Sequence, residues 1–371
     1  MTVLVYGLGR SGLAAARLLA GQGHDLEFMD SRAEGVDIAA ALALGARRLQ
    51  SAADSRAELV IAAPGVPIDH PDLQALRERG VDITGEVGWV RRSFTAPMVG
   101  ITGTAGKGTV TAWITAVLQS AGTPAVAGGN IDPALSEVAA DDRVLVTELS
   151  SFQLERSTGL DPEVAVLLNL GSDHLDRHGT VAAYHAAKKN LLLSLSSEHL
   201  LVYNAADPLL SSWAQEHEGR RAGFSVQGPA EAHLAGELLV LHGEPLLERN
   251  SLQLRGDHNV ANALATALVC SELGLSHTQI AAGLRSFTGL PGRFSTVATI
   301  GSITFIEDSI ATRPLSVRAA LEAAPRPLVW IAGGHNKGAD IREFRELAGE
   351  RVELFIGIGA AGGEFCRGLH D

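Results

Sequence analysis

A chain of 371 residues has room for two or three domains with ample core, and 46% hydrophobic with 19% charged residues excludes intrinsic disorder. A formal net charge of -12 argues against a nucleic-acid or anionic-membrane surface, so any anion site must be made locally from Lys, Arg and helix ends. Cys270 and Cys366 lie far apart and outside any C-x-x-C spacing, which suggests neither a disulfide framework nor zinc; with no signal-like segment and no apolar run of membrane-spanning length, a cytoplasmic protein without membrane insertion is expected.

The opening T-V-L-V-Y predicts a strand, and Gly7, Gly9 and Gly12 follow as G-x-G-x-x-G before the helical A-A-A-R-L-L-A. A second strand, L-E-F-M-D, ends on Asp30, close to where dinucleotide folds place a ribose-binding acid. A tight strand-to-helix turn without any ligand would use the same glycines, so this motif alone assigns nothing. A third strand, L-V-I-A-A, runs into the Pro64-Gly65 turn, giving a small β/α domain over residues 1–92 with its ligand at the strand C-ends.

From Met98 to Thr111 an apolar run stops at closely spaced glycines followed by Lys107, which reads as a phosphate-binding loop. Gly103 and Gly106 allow the backbone to turn so that N–H groups converge on an anion, and Lys107 adds a point charge. The helical pattern from Trp113 to Leu118 would set a positive helix end behind the phosphates. Gly108 stands where Ser or Thr would ordinarily offer a hydroxyl to Mg²⁺, and Thr109 comes one place later. Further strands close on Glu148, and on Asn169, Asp173 and His174. A helix from about Val181 to Leu193 and a strand ending at Asn204 and Asp207 follow. This alternation predicts a mainly parallel sheet with polar residues along one rim, where an acid such as Glu148 suits a Mg²⁺ ligand. Residues from Phe224 to Leu247 predict an antiparallel hairpin of the same domain. From His258 to Leu273 a helix carries Asn259 and Asn262 on one side.

The cluster G-L-P-G-R-F, Gly289 to Phe294, marks a boundary, so the central domain is expected over 93–288 and a third over 289–371. Its strands are I-T-F-I-E-D-S, P-L-V-W-I-A-G-G and V-E-L-F-I-G-I-G, in roughly 80 residues, near the small end for an independent domain. The fold class expected is α/β in three domains: an N-terminal Rossmann-like domain, a central mononucleotide-binding domain and a truncated C-terminal Rossmann-like domain.

Several segments together resemble the Mur ligases, ATP-dependent amide-forming enzymes of peptidoglycan synthesis, and most of all the members that add D-glutamate. The resemblance covers nearly the whole chain and rests on G-T-A-G-K-G-T, on E-L-S-S-F-Q-L-E from Glu148 to Glu155, and on D-H-L-D-R-H from Asp173 to His178. Further matches are Y-H-A-A-K from Tyr184 to Lys188, H-N-x-x-N from His258 to Asn262, and G-L-P-G-R-F. It implies a monomer acting on ATP, Mg²⁺, UDP-N-acetylmuramoyl-L-alanine and D-glutamate. By the same resemblance Gly103, Thr104, Gly106, Lys107, Gly108 and Thr109 hold the ATP phosphates, and Asn262, Arg293 and Asp308 face the ATP. Glu148, with Thr109, binds one Mg²⁺; His174 and a carbamylated Lys188 support a second, and Lys107, His174 and Lys188 serve catalysis. Gly9, Arg10, Ser11 and Gly12 approach the substrate diphosphate, Asp30, Ser31 and Arg32 lie near the uridine, and Asn130 contacts the muramoyl part.

The chain also departs from the family pattern. Gly108 lacks the hydroxyl, and Ala105 stands where the family usually has Asn. In E-D-S-I-A-T, Glu307 and Ile310 replace Asn and Lys. G-G-H-N-K-G-A-D around Lys337 matches, but the segment that would hold the D-glutamate carboxylates is expected to be incomplete. Two readings therefore stay open: an active ligase, and a ligase-derived protein that binds nucleotide or UDP-sugar without completing the amide bond. Taken residue by residue, His174 also suits a solvated turn and Lys188 a surface charge; Arg293 could cap the linker and Asn259 a helix.

Overall fold

The computed structural model describes residues 1–290, 292–311, 314–336 and 340–370, so Lys337 lies outside the described residues. The first sheet holds β1 (Thr2–Tyr6), β2 (Asp25–Met29), β3 (Arg47–Arg48), β4 (Leu59–Ala62) and β5 (Asp82–Thr84), all parallel, in the order β3-β2-β1-β4-β5. Val3, Val5, Val60 and Ile61 are buried in strands covered on both faces, as a parallel sheet requires. The third glycine of the G-x-G-x-x-G motif has a packing reason: a Cβ on Gly12 would meet the Gly7 carbonyl oxygen at 1.9 Å, so only glycine lets the helix Arg10–Gly21 lie this close to β1.

The central sheet has nine strands: β6 (Met98–Thr102), β7 (Ala125–Gly129), β8 (Val144–Glu148), β9 (Val164–Leu167), β10 (Leu200–Asn204), β11 (Arg220–Ser225), β12 (Ala232–Ala235), β13 (Leu238–Leu241) and β14 (Glu244–Glu248). Their order is β14-β13-β12-β11-β10-β9-β6-β8-β7, parallel from β7 to β12 and antiparallel beyond. The expected hairpin is thus the edge of the main sheet, joined to it through β12. Successive residues face opposite sides. Ile101, Val146 and Val166 pack beneath the helices Lys107–Ser120 and Asp257–Glu272, while Met98, Leu145 and Leu167 pack on the other face. Because β6 is central and its neighbours on either side lead away from it, its C-terminal end opens into a crevice at a topological switch point.

Beyond residue 289 the strands do not join into one sheet among the described residues. β15 (Ser295–Ile300) pairs antiparallel with β16 (Ile303–Glu307), and β17 (Leu328–Gly333) pairs parallel with β18 (Val352–Ile358). Leu321, Ile341 and Phe344 form a small core beneath one face of the second pair.

Candidate nucleotide and substrate site

β6 delivers the chain to the crevice and Gly103 to Gly106 turn it into the helix Lys107–Ser120. Gly106 sits in the left-handed region at φ +82, which disfavours other residues and lets the loop double back at the helix start. Lys107 is 7% exposed; its Nζ donates to the carbonyls of Gly103 (2.9 Å) and Thr104 (3.4 Å), so the lysine curls back over the loop. Thr109 is half-buried in the first turn of the same helix.

The loop is held from outside by a residue that the sequence marked only as a polar strand end. The Asn169 carboxamide accepts from the Ala105 N–H (2.9 Å) and donates to the Ala105 carbonyl (3.0 Å), while its backbone carbonyl takes the Thr104 N–H (3.0 Å). Position 105 is clamped by its backbone, so alanine serves there. Thr104 is tied to Gly171 N (2.9 Å) and to the Tyr184 hydroxyl (3.3 Å). From the helix Asp257–Glu272, Asn262 stands directly over Gly106, where a Cβ would lie 2.8 Å from its Oδ1. Asn262 also donates to Asn259 Oδ1 (3.2 Å), and Asn259 to the Arg255 carbonyl (2.8 Å).

Glu148 ends β8 beside the loop and is 3% exposed. Its Oε1 accepts from Asn130 Nδ2 (2.7 Å), whereas Oε2 is buried without a hydrogen-bond partner. A buried carboxylate oxygen in that state is costly unless a cation completes it. Asn130 also accepts, through its carbonyl, from Arg10 Nη2 (2.6 Å). Arg10 further reaches Gly129 O (3.4 Å) and Asp132 (3.3 Å), so a residue expected at the substrate diphosphate touches the central domain across the crevice.

Lys188 is 1% exposed, which removes the surface-charge reading. Its Nζ donates to the Gly103 carbonyl (2.8 Å) and stands 4.6 Å from the Tyr184 ring centre. His174, at φ +51, caps the short helix Leu175–His178 and lies within 3.3 Å of Asp173, with its ring 4.8 Å from that of Phe152. Among the described residues no group of three or more His, Cys, Asp or Glu is placed to hold a metal ion.

In the first domain Gly9 is the N-cap of the helix Arg10–Gly21, and Ser11 lies in its first turn. The Asp30 carboxylate accepts from the Leu8 N–H (2.7 Å) and from Arg32 N and Nε (each 2.9 Å), and Arg32 also donates to Leu8 O (3.1 Å) and Asp37 (2.9 Å). The Arg32 hydrogen bonds hold the Asp30 carboxyl down to about 2. Asp30 and Arg32 thus brace the turn, with Ser31 exposed between them. Asp308 accepts from the Phe294 N–H (3.0 Å), and burial raises its carboxyl above the usual range. Arg293 reaches from that linker into the first turn of the helix Lys107–Ser120, against Gly108.

A lysine-bearing glycine loop, a helix start aimed at the same point and an unpaired carboxylate beside it belong to the nucleotide-dependent enzymes that bring phosphate against a second anion. Two family models match the sequence: the Mur ligase middle domain over residues 101–270 and the Mur ligase MurD-like N-terminal domain over residues 1–85. The UDP-N-acetylmuramoylalanine--D-glutamate ligase of Thermus thermophilus is 44% identical over 99% of this chain and 82% of its own length. The protein of the same name from Deinococcus radiodurans is 43% identical over 99% of this chain and 78% of its own. Among solved structures, the UDP-N-acetylmuramate-alanine ligase MurC of Thermotoga maritima aligns with a TM-score of 0.66 at 23% identity, over 100% of this chain and 88% of that one, which shows a shared fold. The chain belongs to the Mur ligase family. It is an ADP-forming, amide-bond-forming ligase whose nucleotide is ATP. No helix among the described residues is long and apolar enough to cross a membrane.

Proposed function

We propose that the chain joins D-glutamate to UDP-N-acetylmuramoyl-L-alanine in peptidoglycan synthesis, in the cytoplasm and as a monomer, with the domains divided at residues 92 and 288. The observation that carries the site assignment is the buried Glu148 Oε2 without a partner, set beside the loop that Lys107 closes. A carboxylate does not condense with an amine directly, because oxide is no leaving group. The substrate carboxylate oxygen therefore attacks the γ-phosphorus of ATP, ADP leaves, and the amine of D-glutamate displaces phosphate from the acyl carbon and gives up its proton. Lys107 and the loop N–H groups offset the charge of the transferring phosphoryl group, Asn169 clamps the loop, and Asn262 stands over Gly106. The unpartnered Glu148 Oε2 suits one Mg²⁺, which would screen the two anions from each other, and Thr109 as its second holder rests on the family likeness. His174 and a carbamylated Lys188 as holders of a second Mg²⁺ rest on the family likeness; burial of Lys188 under Gly103 supports the position, and its ammonium contact would have to be given up. Arg10 and Asn130 suit the diphosphate and muramoyl parts, and Gly9, Ser11, Gly12, Asp30, Ser31 and Arg32 line or brace the uridine end.

Gly108 and Ile310 favour the second reading, a nucleotide- or UDP-sugar-binding protein that stops short of the amide. ADP release from the full chain with ATP, Mg²⁺ and UDP-N-acetylmuramoyl-L-alanine separates the two. Dependence on D-glutamate is expected of the ligase, and its complete absence supports the binding protein. Lys107→Ala should weaken an ATP analogue about 100-fold by calorimetry, since it removes charge-assisted contacts worth about 1.5 to 3 kcal/mol each, and leave UDP-substrate affinity intact. Unchanged ATP affinity would remove the loop assignment.

A further inference from the structure

The bare position 108 is used by another side chain. A Cβ built on Gly108 would lie 2.8 Å from Nη2 of Arg293, 3.1 Å from its Cζ and 2.9 Å from Glu148 Oε2. The two shortest are closer than real Cβ contacts, so a side chain at 108 would oblige the ends of Arg293 and Glu148 to shift, and glycine leaves both where they are. Arg293, from the linker after the boundary at residue 289, thus puts a full positive charge into the notch that faces the one unpartnered oxygen of Glu148. The two groups share the notch without an ion pair within 4 Å, because no such pair joins Arg293 to Glu148 among the described residues. Glu148 Oε1 is already committed to Asn130, so Oε2 is the oxygen a cation would take.

We propose that Gly108 and Arg293 make the cation site at Glu148 conditional on nucleotide. Without nucleotide the guanidinium opposes the entry of a divalent ion by like charge. With nucleotide, the phosphates held by the loop draw the guanidinium toward themselves, since its planar fork matches phosphate oxygens, and add the negative charge the ion needs. Gly108 is thereby a specificity-determining position and Arg293 a positioning residue that keeps metal from binding ahead of ATP. This rests on the reading of Glu148 as a metal ligand.

The test is Mn²⁺ binding to the full chain, followed by electron paramagnetic resonance and calorimetry, with and without a non-hydrolysable ATP analogue. Wild type should bind Mn²⁺ weakly alone and at least about tenfold more tightly with the analogue. Arg293→Gln should tighten nucleotide-free Mn²⁺ binding about tenfold, and adding Glu148→Gln should abolish the gain. Arg293→Met, which keeps an unbranched stem and removes the charge, should tighten it in the same direction and serves if Arg293→Gln fails to fold. Nucleotide-free affinities unchanged in both variants, or equal in wild type with and without the analogue, would overturn the proposal. Failure of Mn²⁺ to bind even with the analogue would instead remove the metal reading of Glu148, and this inference with it.

Discussion

The junction between the first two sheets is built from polar contacts that run from buried to exposed, whereas the segment from Ser295 to His370 leaves apolar faces open. Arg156, almost wholly buried, donates across the junction to the carbonyls of Ala63 (2.8 Å) and Val66 (2.6 Å), and Arg177 donates to those of Gly65 (3.3 Å) and Val66 (2.9 Å). In β17 and β18, by contrast, Val329, Ile331, Leu354 and Ile356 are exposed on the face away from Phe344, and Val297, Ile303 and Phe305 are exposed in β15 and β16. The difference teaches where specificity lies. Carbonyls at a junction accept only donors of fitting reach, so the first two units are held in one relation; an apolar face sets no such geometry. The site accordingly takes its loop, its carboxylate and Arg10 from the polar junction and only Arg293 and Asp308 from the linker and strand end beyond it.

The largest effect that sharpens this contrast is in packing. Ile101→Ala, at a fully buried position of β6, should cost about 2 to 5 kcal/mol, while Ile331→Ala, 56% exposed in β17, should stay within about 0.5 kcal/mol. Urea unfolding midpoints measure both. A loss of 2 kcal/mol or more at Ile331 would mean that its face is covered in solution.

Next in size is the junction itself. Arg156→Ala removes one donor from each carbonyl, while Ala63 keeps the Val66 N–H (3.0 Å) and Val66 keeps Arg177, so a loss of about 1 to 2 kcal/mol is expected. Burial lowers the Arg156 guanidinium to about 10. Arg156→Lys, with one charge and no fork, should fall between wild type and alanine. Equal stability of Arg156→Ala and wild type would make the junction decorative.

Much of the site was legible because backbone strain and charge are written in residue types. Gly103, Gly106 and Lys107 announce a loop, and the acid ending a strand announces Glu148. Partners across the chain were not legible. Nothing local says that Asn169 will clamp Ala105, that Arg156 will reach Ala63, or that Arg293 will fill the notch at Gly108, because each depends on strand order. In the fold, β7, ending in Gly128 and Gly129, and β11, beginning with two arginines, escaped a reading that looks for apolar runs. The strands L-V-W-I-A-G and V-E-L-F-I-G-I were legible as strands, but their composition suits burial on both faces and so could not reveal that they pair only with each other among the described residues.

The smallest effect concerns a single proton at the junction. Glu86 opens the helix Glu86–Ser93; its Oε1 accepts from the Ser136 N–H (2.6 Å), and its Oε2 is buried without a partner. Burial raises the carboxyl above its ordinary 4.5, against the pull of the Ser136 hydrogen bonds and of Arg10. A raised acid holds its proton longer in the folded chain than in the unfolded one, so its contribution to stability is full below the unfolded value and is lost as pH rises through the folded value. Glu86→Gln keeps an oxygen for Ser136 and abolishes the titration. It should therefore stabilise the protein by about 1 kcal/mol at pH 8 and by almost nothing at pH 4, measured as the difference in unfolding midpoints at the two pH values. A variant destabilised equally at both would show that the charged carboxylate is what the junction requires, with Arg10 as its counter-charge across the crevice.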